Sequence, residues 1–171
     1  MIFTALLASS LTAGELAVIG NDSVQDWMDK RERLEKDAER LRVAYTNCIT
    51  RLEIPSEDMI IPVETFPDGS IKLVIEAKYA QLFNNQSLVW ARNVVIRKLD
   101  EDGVERTRLE ALECIVDRFT KSGWAQGAGN LKQGENIFKG KNFYFSSPDS
   151  YVTSYSESMM ESKDLKSGDQ L

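Results

Sequence analysis

The chain contains no histidine. The side chain that most often serves as general base, metal ligand and neutral-pH switch is therefore missing. No glycine-rich phosphate loop follows an apolar run, and neither Cys-x-x-Cys nor Gly-x-Ser-x-Gly occurs. The motifs of phosphate cradling, dithiol redox chemistry and serine nucleophiles are thus absent. Cysteine is scarce: Cys48 and Cys114 are too few for a disulfide framework, and whether they pair is open. Positive charge is neither in excess nor clustered, with 21 Lys+Arg against 27 Asp+Glu and a formal charge of −6. Phosphate backbones need concentrated Lys and Arg, so nucleic acid is not an expected partner.

Long apolar runs are lacking too. A membrane helix needs about 20 apolar residues. The opening MIFTALLASSLTAGE is uncharged before Glu15, but its apolar stretch covers only Ile2 to Ala8 and gives way to Leu11-Thr12-Ala13. Residues 1–14 read as a signal peptide ending in a small-residue cleavage site, with a buried N-terminal helix as the competing reading. The signal reading places the mature protein in the periplasm or otherwise outside the cytoplasm, soluble after cleavage. Association with an outer membrane is left open.

What is present begins with an amphipathic segment over 22–53. Asp22 or Ser23 supplies the cap. Trp27, Leu34, Leu41 and Cys48 recur every seven residues, with Val24, Ala38, Tyr45 and Leu52 on the companion positions. This is an a/d seam flanked by charge. It packs either on the protein's own body or on a partner or second copy. The stripe is narrow and holds Ala, Tyr, Cys and Arg31, which favours the first. On the second, Trp27, Leu34, Leu41 and Tyr45 form the partner-binding seam. Ile54-Pro55 ends the helix, because proline disfavours helical geometry in the residue before it.

Beyond Pro55 the period changes to two. Met59 to Val63 reads as an edge strand, Ile71 to Ala77 as a half-buried strand, and Leu88 to Leu99 as a long strand. Residues 108–119 fit helix and strand spacing equally. The need for a hairpin partner after Leu99 tilts them to strand. Gly123–Gly129, Asn136–Phe145 and Tyr151–Ser156 follow, separated by turn-forming Asn, Asp, Gly and Pro. The fold class is mainly β: a long N-terminal α-helix, then an antiparallel β-jellyroll or sandwich of about seven to eight strands over 58–159, with a polar tail at 160–171.

Two phrases echo along this region. IEAKYA at 75 returns as LEALEC at 109, and WAR at 90 returns as WAQ at 124. Either a structural unit recurs or common dipeptides fell into register. Asp100 and Asp102 before Gly103 open like a calcium loop, but no Glu stands at the twelfth position. Hairpin-turn chemistry accounts for them. Carboxylate pairs such as Glu110 and Glu113 are ordinary in so acidic a chain. No cofactor and no metal site is expected, and the chain reads as non-enzymatic.

One face of the strands is apolar throughout. Leu73, Ile75, Leu88, Trp90, Val94, Ile96, Leu109, Ile115 and Tyr144 either fill a closed core or line an open groove between sheets. In a groove, each buried methylene of a lipid gains about 0.8 kcal/mol without any reactive group.

IEAKYA (75–80), WARNVVI (90–96), LDEDG (99–103), LEALECIVD (109–117), GWAQGAGNL (123–131) and FKGKNFYF (138–145) together resemble the strand-and-turn cadence of the periplasmic lipopolysaccharide-transport family, the OstA/LptC-like β-jellyroll proteins. The resemblance covers about half the chain. It implies a non-enzymatic envelope protein that binds or passes lipopolysaccharide or another lipid along the apolar groove residues. It also implies terminal strands that add a neighbouring jellyroll or a second copy by main-chain pairing. Two departures stand out: a cleavable-looking leader and heptad helix replace the transmembrane helix of anchored members, and the strand count is small. The rival expectation is an immunoglobulin-like assembly protein of a surface apparatus, such as a pilus or secretion complex, that binds its partner through the helix.

Overall fold

Turn chemistry sets the strand order. The Asp68 carboxylate accepts the Ser70 amide, and Asp100 accepts the amides of Asp102 and Val104, so each reverses the chain within a few residues. In the computed structural model, which describes residues 21–155 and 159–161, the helix α1 (Asn21–Ile49) precedes eight antiparallel strands. These are β1 (Ser56–Thr65), β2 (Ile71–Phe83), β3 (Leu88–Leu99), β4 (Glu105–Asp117), β5 (Ser122–Gln133), β6 (Asn136–Ser146), β7 (Tyr151–Ser154) and β8 (Met159–Glu161). They form one sheet in chain order from β1 to β7, with β8 alongside β6. The mainly-β class with a leading helix is as expected from sequence, and 108–117 is strand, with Arg118 and Phe119 in the turn that follows. The helix stops at Ile49, four residues short of the expected end, and β8 continues the sheet into the start of the expected tail. The signal-peptide segment 1–14 lies outside the described residues. No helix among the described residues is long and apolar enough to cross a membrane.

The sheet carries a transverse crease. Asp58, Asn93, Gly127 and Asn142 all have left-handed backbone geometry inside strands, at φ of 50°, 50°, 80° and 57°. The pairing Glu57↔Tyr79 and Met59↔Ala77 sets Asp58 opposite Lys78. Tyr79↔Arg92 and Ala77↔Val94 set Lys78 opposite Asn93. Arg92↔Glu113 and Val94↔Ala111 set Asn93 opposite Leu112. The register of β5 then slips against both neighbours around Gly127. The Gly127 amide donates to the Asn142 side chain at 2.9 Å, tying the crease across β5 and β6.

An uninterrupted strand sends alternate side chains to opposite faces. At the crease that parity reverses. On β3, Val89 and Ala91 share an inner cluster with Val94 and Ile96, although the step from Ala91 to Val94 is three positions rather than an even number. Leu88 and Trp90 point instead to the other face, where they meet the helix. The sheet also folds over on itself. Lys98 of β3 reaches Ser150 beyond β6 at 3.1 Å, and Ser147 donates to Glu64 of β1 at 2.5 Å, although three to five strands separate these partners in the sheet.

Leu34, Ala38, Leu41, Tyr45 and Cys48 of α1 are buried against Phe83, Leu88, Trp90, Ile115, Trp124 and Tyr144. Full burial of such side chains is worth about 1.5–3 kcal/mol each. This corrects the partner-seam expectation for Leu34, Leu41 and Tyr45: the sheet's own outer apolar patch takes them up, and only Trp27 is left substantially exposed. A polar clasp fixes the helix register. Asp37 accepts hydrogen bonds from Ser122 at 2.6 Å and Tyr144 at 2.9 Å, while Arg40 bonds both Asp37 and Asp117. Burial, then the Asp37 charge, pushes the Tyr144 hydroxyl above its ordinary range and keeps it a donor. The two cysteines are free and lie in different clusters, Cys48 on the helix side and Cys114 on the inner side. Burial holds the Cys114 thiol up at about 12.

Two stability outcomes follow. Asp37→Ala leaves two buried hydroxyls without their acceptor and costs about 1–3 kcal/mol in urea denaturation, with Asp37→Asn losing less because one oxygen remains. At Gly127 an added Cβ meets no atom within 4 Å, so Gly127→Ala is destabilising through its left-handed backbone alone, by about 1–2 kcal/mol in the same assay.

Candidate binding site between the layers

Across the inner face, strand pairing stacks side chains into two rows. Ile75, Ile96, Leu109, Leu131 and Phe138 are mutually opposite on successive strands and form an apolar row. Two residues further along each strand, about 7 Å away at the usual rise, comes a row of different character. It runs Glu64, Leu73, Lys98, Thr107 and Gln133. The end of β6, the turn 147–150 and β7 fold over both rows. Between the layers lies a cavity of ≈ 80 Å³, lined by Leu73, Ile96, Leu109 and Leu131 on one side and Phe145 and Val152 on the other. At about 30 Å³ per water-sized group, it holds about three such groups.

The rim is polar. Lys98 is half buried, and its ammonium donates to the Ser150 hydroxyl at 3.1 Å and the Ser147 carbonyl at 3.4 Å. Burial, then the nearby Lys72 charge, lowers its pKa, with Glu64 opposing. Glu64 itself is engaged elsewhere: Lys72 at 3.0 Å, Lys121 at 3.5 Å and the Ser147 hydroxyl surround it. Burial alone would raise the Glu64 pKa, but the hydrogen bonds from Ser147 and Lys72 and the two positive charges bring it below its ordinary value.

Of the groove residues expected from sequence, Leu73, Ile96 and Leu109 line this cavity, and Ile75 and Val94 belong to the core around it. Leu88, Trp90, Ile115 and Tyr144 do not join them: the crease turns these four to the opposite face, beneath α1. Alternation from Ile96 places Lys98 on the inner face, but a pattern of apolar residues does not single out a charged one. Leu131, Phe145, Val152, Ser147 and Ser150 come from strands and a turn that sequence alone does not bring opposite β2–β4.

A second hollow of ≈ 410 Å³ lies between α1 and β7, bordered by Arg31, Glu35, Glu39, Arg42, Tyr151 and Tyr155. Its charges are spent within the helix, as Arg31 pairs with Glu35 and Arg42 with Glu39. Among the described residues, no group of three or more Cys, Asp or Glu side chains is placed to hold a metal ion.

No protein-family model matches the chain, and no curated protein matches it. Among solved structures it is similar to LptH of Pseudomonas aeruginosa, described as the LptA-homologous periplasmic component of a lipopolysaccharide transport device. The TM-score is 0.47 at 10% sequence identity, over 63% of this chain and 92% of that one.

Proposed function

We propose that the protein is a non-enzymatic, exported lipid-binding protein of the cell envelope that takes the end of an acyl chain between its two layers. The observation that carries this reading is the cavity itself, where Leu73, Ile96 and Leu109 meet Phe145 and Val152 without closing on them. Its size limits what it does. Three methylenes at about 0.8 kcal/mol give roughly 2.4 kcal/mol, against about 8.2 kcal/mol for micromolar binding. A longer stretch of chain must therefore part the layers at the turn 147–150, or rim contacts must add to the tail. Lipopolysaccharide is one candidate donor of such a chain, and it serves as a competitor in the assay.

A second reading rests on β1. Among the described residues this ten-residue strand ends the sheet, with no strand paired to its outer side, and it carries Ile60 at 66% exposure. Such an edge can add a strand from another protein or a second copy. This is the assembly role in its simplest form.

A dansyl-labelled fatty acid should bind the purified protein saturably at one site and be displaced by lipopolysaccharide. Leu131→Phe, which fills the cavity, should weaken that binding by about tenfold while shifting the melting temperature by only a few degrees. Unsaturable binding, or equal binding by the filled variant, would overturn the lipid reading. Ile60→Lys should leave lipid binding intact. If chain association in sedimentation exists and Ile60→Lys abolishes it, the edge-pairing reading gains; unchanged association removes it.

A further inference from the structure

We infer that Lys98 is an anion receptor, and that the ligand of the inter-layer cavity is a carboxylate-headed amphiphile. The inference rests on the lipid reading above and names the ligand's head. The sheet's other cations in this neighbourhood have partners: Lys72 and Lys121 have Glu64, Lys78 has Asp58, Arg92 has Glu113, Arg97 has Glu76 and Arg106 has Asp100. Among the described residues, Lys98 makes no ion pair. It is nonetheless half buried, with only a hydroxyl and a carbonyl at hydrogen-bonding distance. Taking an ammonium partly out of water without a counter-charge is costly, and an arriving anion removes that cost.

Placement supplies the rest. Lys98 stands in the rim row, with Thr107 opposite it and Ser150 facing it from the turn. The apolar row of Ile96, Leu109 and Leu131 begins one step deeper, about 7 Å along the strands. A polar head and a greasy tail joined end to end match that step. The head is monoanionic rather than dianionic for two reasons. Lys98 is a single unpaired cation, and the Glu64 carboxylate lies in the same row, opposite Leu73, which in turn is opposite Lys98. A phosphate monoester would bring a second negative charge, and Lys72 and Lys121, the other cations at this end, are already engaged by Glu64.

Isothermal titration of the full chain with octanoate, octanol, octyl phosphate and butanoate tests this, on the wild type, Lys98→Met and Lys98→Arg, with melting temperature as the folding control. Octanoate should bind wild type about tenfold or more tightly than octanol and octyl phosphate. Lys98→Met should lose that advantage while leaving octanol unchanged, and Lys98→Arg should restore most of it. If octanoate and octanol bind alike and Lys98→Met alters neither, the anion receptor is overturned while the lipid reading stands. If butanoate binds in a Lys98-dependent way and octanoate does not, the receptor stands and the lipid reading falls. Tighter octyl phosphate binding overturns the monoanionic assignment. Absence of Lys98-dependent binding by either acid overturns the inference entirely.

Discussion

Every layer of this molecule depends on the crease that crosses the sheet from Asp58 to Asn142. A strand pays out its side chains alternately, so a straight β3 would put Leu88, Trp90, Val94 and Ile96 on one face. One left-handed residue, Asn93, breaks that alternation between Trp90 and Val94. Leu88 and Trp90 then serve the helix, while Val94 and Ile96 serve the inner core. The same split divides Leu109 from Ile115 on β4. A chain with one mainly-β sheet thereby buries both faces at one end and leaves a polar outer face at the other, where Arg97, Arg108 and Lys132 stand on neighbouring strands.

The crease also explains the echo in the sequence. Lys78 and Leu112 are thirty-four residues apart, as are Asn93 and Gly127, and Trp90 and Trp124. Strand pairing brings Lys78, Asn93 and Leu112 to one line, and the β5 slip falls at Gly127. Both tryptophans face the helix and both following alanines, Ala91 and Ala125, face the inner core. The two hairpins β2–β3 and β4–β5 are thus one structural unit written twice. The turn residues and the heptad stripe made strand number and helix legible from sequence. Asn93 and Gly127 lie within strand-like sequence, and the parity change that their positive φ produces is not legible there, because Asn and Gly are just as common in ordinary turns. That single parity change carries Leu88, Trp90, Ile115 and Tyr144 from the expected groove face to the helix face.

The helix was legible in the same partial way. An a/d stripe shows its width and spacing, whereas what it packs against depends on an apolar patch that the crease exposes on the outer face. The clasp of Asp37 with Ser122 and Tyr144 was beyond reach, since three unremarkable residues separated by up to 107 positions meet only after the sheet is built.

The turn 147–150 joins the two halves of this design. On its outer side Asp149 holds α1 through Arg33 at 2.7 Å, and that guanidinium, with Ser146 and Lys30, keeps the Asp149 carboxyl below its ordinary pKa against the opposing effect of burial. On its inner side Ser147 bonds Glu64, and Ser147 and Ser150 receive Lys98. The Ser147 amide further donates to the Lys121 carbonyl at 3.0 Å, fastening the turn to the β4–β5 connection. The cavity wall and the helix anchor are therefore consecutive residues of one short segment. Any parting of the layers at this turn would displace the residues on either side of Asp149. The Arg33 side of that ion pair is 62% exposed, so the tether to α1 is a soft one and solvent takes up part of any shift of the turn.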